Sequence, residues 1–184
     1  MKQIKIHGLG GQGVVTAAKV FAEAVALGEL KYAQAIPAYG HERRGAPVYA
    51  DVIFDDEPIN VKSFVYSPDY VVIFDLSVRD NHGIDILRGS GPETVFIVNS
   101  KRADELDFGS HTFYCVDALQ IALDVLKRDI PNSAMLGAMA AVGLAGIDSV
   151  SDALRKTFGA NGDRNAQAAR QAFNLTRKYA CVKS

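Results

Sequence analysis

Apolar and polar positions alternate along "QIKIHGLG", residues 3 to 10, and the pattern stops at glycine, which predicts a strand. In the following "VVTAAKVFAEAVALGE", Val15, Ala18, Phe21, Ala22, Val25 and Ala26 recur at helical spacing, with Gly28 placed as a C-cap. "KYAQAI" predicts a short strand closed by Pro37, and "PAYGHERRGA" a polar, glycine-marked loop. "PVYADVIF" predicts a strand, "DDEP" a turn and "INVK" a return strand, together a β-hairpin. Three apolar runs, 69–75, 94–99 and 112–117, have the unbroken character of buried parallel strands. "ALQIALDVLKRD" is helical in pattern. After Pro131 comes "NSAMLGAMAAVGLAG", a helix whose small Ala and Gly side chains allow close packing on another surface. In "SVSDALRKTFG" Ser149 stands three residues before Asp152, in the manner of a capping box. "NGDRNAQAARQAFNLTRKYA" predicts a last amphipathic helix. Strands with helices between them, one hairpin and a helical C-terminal segment predict a three-layer α/β fold with a mainly parallel sheet. No repeat or linker divides the chain, so residues 1–184 are expected to form a single domain.

Composition narrows the function. A chain of 184 residues suits one domain, and it is long enough to bury a core without staples. Its 20 basic and 21 acidic side chains leave a net charge of −1, without the basic excess of proteins that hold duplex nucleic acid or anionic membrane. Cys115 and Cys181 lie outside any CxxC spacing. A metal or iron–sulfur site made by this chain alone would need about four ligands, so neither is expected. The absence of a disulfide framework predicts a reducing cytoplasm. "MKQIKIHG" reads as a strand rather than a signal peptide. No run of about 18 apolar residues predicts a membrane span.

The candidate chemistry is of two kinds. Gly8, Gly10 and Gly13 satisfy G-x-G-x-x-G between a strand and a helix, and Gly11 and Gln12 stand among them. In a Rossmann-like fold, such a turn brings backbone N–H groups close to an anion at the positive end of the helix. The bland alternative is a tight strand–helix turn packed against a neighbour. A dinucleotide site also needs an acid about 20 residues on, at the end of the second strand. "YAQAIPAYG" has none, which counts against NAD and FAD. The second feature is "GHERRGAP", residues 40–47. Arg43 and Arg44 offer guanidinium forks for phosphate or carboxylate. Glu42 is a competing partner for one of them, and His41 is either an acid–base group or an ordinary loop residue. Asp75 and Asp117 close apolar strands, where carboxylates line a binding edge or cap the next helix. No catalytic motif is present, and His7, His41, His82 and His111 show no ligand spacing. No catalytic residue and no metal ligand is assigned to this chain.

Taken in order, "GLGGQGVVTAAKVFAEA", "YAQAIPAYGHERRGAPVYADV", "PDYVVIFD", "NSAMLGAMA" and "RNAQAARQAF" resemble the gamma subunit of 2-oxoacid:ferredoxin oxidoreductases, most closely of the pyruvate synthase type. The resemblance implies a multi-subunit complex that oxidatively decarboxylates a 2-oxoacid with coenzyme A, giving acyl-CoA, CO2 and reduced ferredoxin or flavodoxin. It implies alpha, beta and delta-type partner subunits, with thiamine diphosphate and 4Fe–4S clusters on those partners. Coenzyme A is the cosubstrate, and the gamma part assists assembly and its binding. Gly8, Gly10, Gly11, Gln12, Gly13, Arg43 and Arg44 become the candidate binding residues, facing either a nucleotide phosphate or a partner subunit. "ERRGAP" favours pyruvate or a similar small or branched oxoacid. The isolated chain is expected to be inactive and to self-associate in place of its partners, with the Ala/Gly-rich helix as an interface. The competing expectation is a free-standing nucleotide-binding protein or NAD(P)-dependent enzyme.

Overall fold

A computed structural model of the chain describes residues 1–38, 43–60 and 62–179. His41, Glu42 and Cys181 lie outside the described residues. The chain builds one seven-stranded sheet in the order β2-β3-β1-β4-β5-β6-β7. Its strands are β1 (Lys2–Leu9), β2 (Tyr32–Pro37), β3 (Pro47–Asp55), β4 (Tyr70–Ile73), β5 (Val95–Asn99), β6 (Phe113–Val116) and β7 (Arg177–Tyr179). Its helices are α1 (Val14–Glu23), α2 (Ser77–Asp80), α3 (Ala118–Ile121), α4 (Asn132–Ala141), α5 (Ile147–Phe158) and α6 (Gly162–Leu175). β1, β4, β5 and β6 run parallel, β3 is antiparallel to both β1 and β2, and β7 is antiparallel to β6.

The period of two along each strand divides the core between the two faces of the sheet. Ile4, Ile6, Ala50, Val52, Val72, Ile97 and Val116 face a large cluster built with α1, α4, α5 and α6. Val71, Ile73, Phe96, Val98, Phe113 and Cys115 face a smaller cluster, closed by Val78 of α2 and by Ile86 and Phe108 from connecting segments. The parallel centre is therefore covered on both faces, as such sheets require.

The antiparallel edge departs from expectation. The antiparallel pair is β2–β3, with residues 38–46 between the two strands, and not "PVYADVIF" with "INVK"; the described residues of 59–62 form no strand. β3 lies between β1 and β2, so "KYAQAI" does not run beside the first strand. A helix crossover makes two strands parallel without making them neighbours, and the chain fills the gap by folding back.

Further corrections follow from packing. Gly28 ends a π-helical turn, Ala24–Gly28, but a side chain there would strike Ser149; the positive φ of 54° falls on Leu30 instead. Ser149 is not an N-cap, because α5 begins at Ile147. Its Oγ donates to Glu29 at 2.6 Å, and Glu29 also accepts from Gly146 N at 2.8 Å. A carboxylate 117 residues away in sequence thus does the capping. The last predicted helix stops at Leu175, and Arg177–Tyr179 add a strand to the sheet. The Ala/Gly-rich helix, α4, is buried from Asn132 to Ala140. A helix that is apolar all round belongs inside, and its small residues admit α6, whose Ala169 backbone packs on Gly137. It therefore offers no face to a partner subunit.

Candidate functional site

The C-terminal end of β1 turns through Gly10–Gly13 into α1, and the loop after β2 folds onto that turn. Gly10 N donates to Ala46 O at 2.8 Å, and Gly45 N donates to Gly10 O at 3.0 Å. These two bonds hold the arginine loop against the glycine turn backbone to backbone. The contact needs glycine at position 10, since a Cβ there would lie against the carbonyl of Arg43. Gly13 is held at φ 78°, and a side chain on it would come within 2.6 Å of Asn132 Nδ2. Gly8 packs under Val14 and Phe74, and Gly11 lies beside the aliphatic stem of Arg44.

Gln12 works inside the fold. Its Oε1 accepts from Leu9 N at 2.9 Å, and its Nε2 donates to Asp75 Oδ2 at 2.7 Å. Asp75 Oδ1 accepts from Ser77 N at 2.9 Å, so one carboxylate ties the glycine turn to the start of α2. Asp117 caps α3, accepting from Gln120 N at 2.9 Å. Asn99, which no sequence motif marks, extends the same seam: its Nδ2 donates to Phe74 O at 2.8 Å, and its Oδ1 accepts from Ala118 N at 2.9 Å. Of the two readings open for the strand-closing acids, capping and bracing describes both.

A cavity of about 660 Å3 opens over this turn. The backbone of Gly10–Gly13, the first residues of α1, Arg43, Arg44 and Asp129 line it. The first N–H groups of α1 have no acceptor within the helix, and no side chain caps them. They join the helix dipole in favouring an anion. Arg43 carries no ion pair among the described residues. Arg44 Nη2 lies 3.9 Å from Asp129 Oδ2 with both side chains largely exposed, a pair worth about 0–1 kcal/mol. The structure thus places Gly10, Gly11, Gln12, Gly13, Arg43 and Arg44 on one cleft, with Gly8 and the side chain of Gln12 as its support.

Arg128, Asn132 and Arg164, which no motif singled out, border an adjoining cavity. Arg128 lies in the segment before α4, Asn132 is the first residue of α4, and Arg164 is in the first turn of α6. Among the described residues no group of three or more His, Cys, Asp or Glu side chains is placed to hold a metal ion, and no helix is long and apolar enough to cross a membrane. Elsewhere, His7 is buried on the other face of β1, where loss of hydration and then the nearby Lys5 lower its pKa from 6.5 to about 4. Burial raises the Cys115 thiol to about 11, with Sγ donating to Ser100 O at 3.2 Å, so it is inert.

The fold and site define an α/β protein with a glycine-rich strand–helix turn that opens on a cleft bordered by arginines. It lacks the dinucleotide arrangement, since β3 separates β2 from β1 and β2 ends in Pro37 rather than an acid. The chain matches the pyruvate ferredoxin/flavodoxin oxidoreductase family over residues 3–175 and belongs to it, as a gamma subunit. The pyruvate/ketoisovalerate oxidoreductases common subunit gamma of Thermococcus kodakarensis is 45% identical over 186 residues, covering 97% of this chain and 99% of that one. The crystal structure of pyruvate oxidoreductase subunit PORC from Thermotoga maritima has a TM-score of 0.80 at 32% identity, covering 96% of this chain and 97% of that one. A 2-oxoglutarate:ferredoxin oxidoreductase from Magnetococcus marinus, solved with 2-oxoglutarate, coenzyme A and succinyl-CoA bound, shares the fold. Its TM-score is 0.71 at 20% identity, with 94% of this chain covering 30% of that one.

Proposed function

We propose that this gamma subunit supplies a coenzyme A-binding surface to a cytoplasmic complex that oxidatively decarboxylates pyruvate or a similar small or branched 2-oxoacid. The observation that carries the reading is the docking of the arginine loop on the glycine turn through Gly10, Gly45 and Ala46. It sets Arg43 and Arg44 beside uncapped helix N–H groups on one cleft. The donors present suit coenzyme A: guanidinium forks and backbone N–H groups for its phosphates, with Leu9, Val15, Val48 and Ile130 as apolar lining. The coenzyme A bound to the Magnetococcus marinus enzyme supports the same reading. Coenzyme A contributes the thiol that accepts the acyl group; this chain's residues bind and orient it. Thiamine diphosphate and the 4Fe–4S clusters belong, on this reading, to alpha, beta and delta-type partners, which pass electrons to ferredoxin or flavodoxin. Gly8, Gln12 and Asp75 keep the turn in shape.

Arg43→Ala and Arg44→Ala test this in the assembled complex. Each removes charge-assisted hydrogen bonds worth about 1.5–3 kcal/mol, so the Michaelis constant for coenzyme A should rise roughly tenfold to a hundredfold. That for pyruvate should change little, with subunit stoichiometry intact. Complexes that fall apart, or that keep their coenzyme A constant, assign the loop to subunit docking. The chain alone, given pyruvate, coenzyme A, thiamine diphosphate and a viologen dye, should show no turnover; activity without partners would refute the division of labour.

A further inference from the structure

The coenzyme A cleft continues into a second cavity of about 250 Å3. It shares Gly11, Gly13, Thr16 and Ile130 with the first, and lies between the glycine turn and the start of α6. Three helices begin at its walls: α1 after Gly13, α4 at Asn132 and α6 after Asn161. Neither α1 nor α6 has a side-chain cap, and in α4 only Ser133 N is taken, by Asn132 Oδ1. Arg128 and Arg164 line the cavity, and no acidic residue does. The acid next to Arg164 in sequence, Asp163, is already held by Arg155 at 2.9 Å. Among the described residues Arg128 and Arg164 have no ion-pair partner.

A second observation is independent of charge. Asn132 is only 6% exposed. Its Oδ1 accepts from Ser133 N at 2.8 Å, which fixes the orientation of the amide. Its Nδ2 then abuts Gly13, which like Asn132 lines the cavity, and donates to nothing among the described residues. Buried amide donors are normally satisfied. This one is not among the fully enclosed unpartnered atoms of the described residues, which are those of Ser77, Ser90 and His111, and its residue lines the cavity. A donor held in that way awaits an acceptor from outside the chain.

We infer that this second cavity is a phosphate-monoester subsite, so that the ligand of the glycine–arginine cleft carries two separate phosphate groups. The inference rests on the coenzyme A reading and deepens it. Coenzyme A has a diphosphate and, apart from it, a 3′-phosphate on the ribose. The open cleft at Arg43 and Arg44 suits the diphosphate, and the smaller, acid-free cavity suits the dianionic monoester. Two guanidinium forks, an amide N–H and helix N-termini are the donors such a group selects. A ligand with a neutral 3′-hydroxyl gains little from them, so this site makes the complex prefer coenzyme A over 3′-dephospho-coenzyme A.

Calorimetric titration of the assembled complex with each of the two ligands tests this directly. The unaltered complex should bind coenzyme A at least tenfold tighter than the dephospho form. Arg128→Gln and Arg164→Gln, both at exposed positions, should weaken coenzyme A about tenfold and leave the dephospho form unchanged, collapsing the preference. Arg43→Ala should weaken both ligands alike. No preference in the unaltered complex, or equal effects of Arg128→Gln and Arg164→Gln on both ligands, overturns the subsite while leaving the main cleft standing. Failure of Arg43→Ala to weaken either ligand overturns the coenzyme A reading itself.

Discussion

Two cationic regions lie against β1, one on a face of the strand and one at its end. On the face away from α1, Lys5 Nζ donates to Asp51 Oδ1 at 2.8 Å, and Lys5 is only 15% exposed in its side chain. Asp51 is fully buried, and its other oxygen accepts from Val65 N at 2.7 Å. The ammonium also sits 4.9 Å from the ring centroid of Tyr49. At the strand's end, Arg43, Arg44, Arg128 and Arg164 border adjoining cavities and are exposed, with Asp129 the one acid among the described residues that line them. Removing a charge from water costs several kcal/mol unless it is paired, so Lys5 has to have Asp51. Arginines left in water need no partner, and their unused donors remain available to a ligand. Pairing therefore separates the region that holds the fold from the region whose donors are left open.

Asp51→Ala is the most damaging test of that division. It leaves Lys5 without its counter-charge and Val65 N–H without its acceptor, a loss of about 3–5 kcal/mol. Urea denaturation should show a large drop in midpoint, beside which Arg43→Ala barely registers. A shift in Asp51→Ala as small as that of Arg43→Ala would erase the distinction.

His7 gives the next effect, and it depends on pH. Its pKa is near 4 in the folded chain against 6.5 ordinarily. As pH falls below 6.5 the unfolded chain takes up a proton that the folded chain refuses. The stability present above 6.5 is lost progressively towards pH 4, to a total of roughly 3 kcal/mol. Asp51 works in the opposite sense: burial raises its pKa from 3.8, so its contribution is present below that pH and declines as pH rises above it. His7→Gln should flatten the difference in stability between pH 6.5 and 4, measured by denaturant midpoint at each pH. An unchanged slope would show that His7 gains its proton freely when folded.

Gly10→Ala links the two regions. The added Cβ meets the Arg43 carbonyl, an overpacking cost of about 1–3 kcal/mol. It should also displace the arginine loop, lowering stability and coenzyme A affinity together, whereas Arg43→Ala lowers affinity alone. Equal stability of Gly10→Ala and the parent would mean that the loop moves aside without cost.

Both halves of the main cleft were legible in the sequence, as a glycine turn and an "ERRGAP" loop about thirty residues later. Backbone bonds between Gly10, Gly45 and Ala46 bring them together. The buried strands were legible too, because continuous apolar runs record burial on both faces. Strand neighbours were not. Alternation in "PVYADVIF" marks a strand but carries no information on its partner, so β3 between β1 and β2 was invisible. Arg128, Asn132 and Arg164 escaped for a related reason: they come together only when the starts of α4 and α6 meet the glycine turn. The Ala/Gly-rich helix misled because small residues announce close packing without saying whether the neighbour is another chain or, as here, α6.

The smallest expected effect on stability is at the arginines, and its sign is informative. Arg43, Arg44, Arg128 and Arg164 border one continuous cleft whose described lining includes a single acid, Asp129. Without a ligand they repel one another weakly through water, over distances that salt screens within about 10 Å. Substitution of exposed residues away from packed contacts usually changes stability by no more than about 0.5 kcal/mol. Arg128→Gln combined with Arg164→Gln should therefore leave the unliganded chain as stable as the parent, or slightly more stable. Inorganic phosphate should reverse the ranking, because an anion that binds only the folded state stabilises it in proportion to its occupancy. Thermal melts in chloride and in phosphate at equal ionic strength separate screening from binding. The parent should gain more from phosphate than the double variant does. A double variant destabilised in chloride would place these arginines with Lys5, as parts of the fold, and equal gains in phosphate would remove the cleft's claim to bind it.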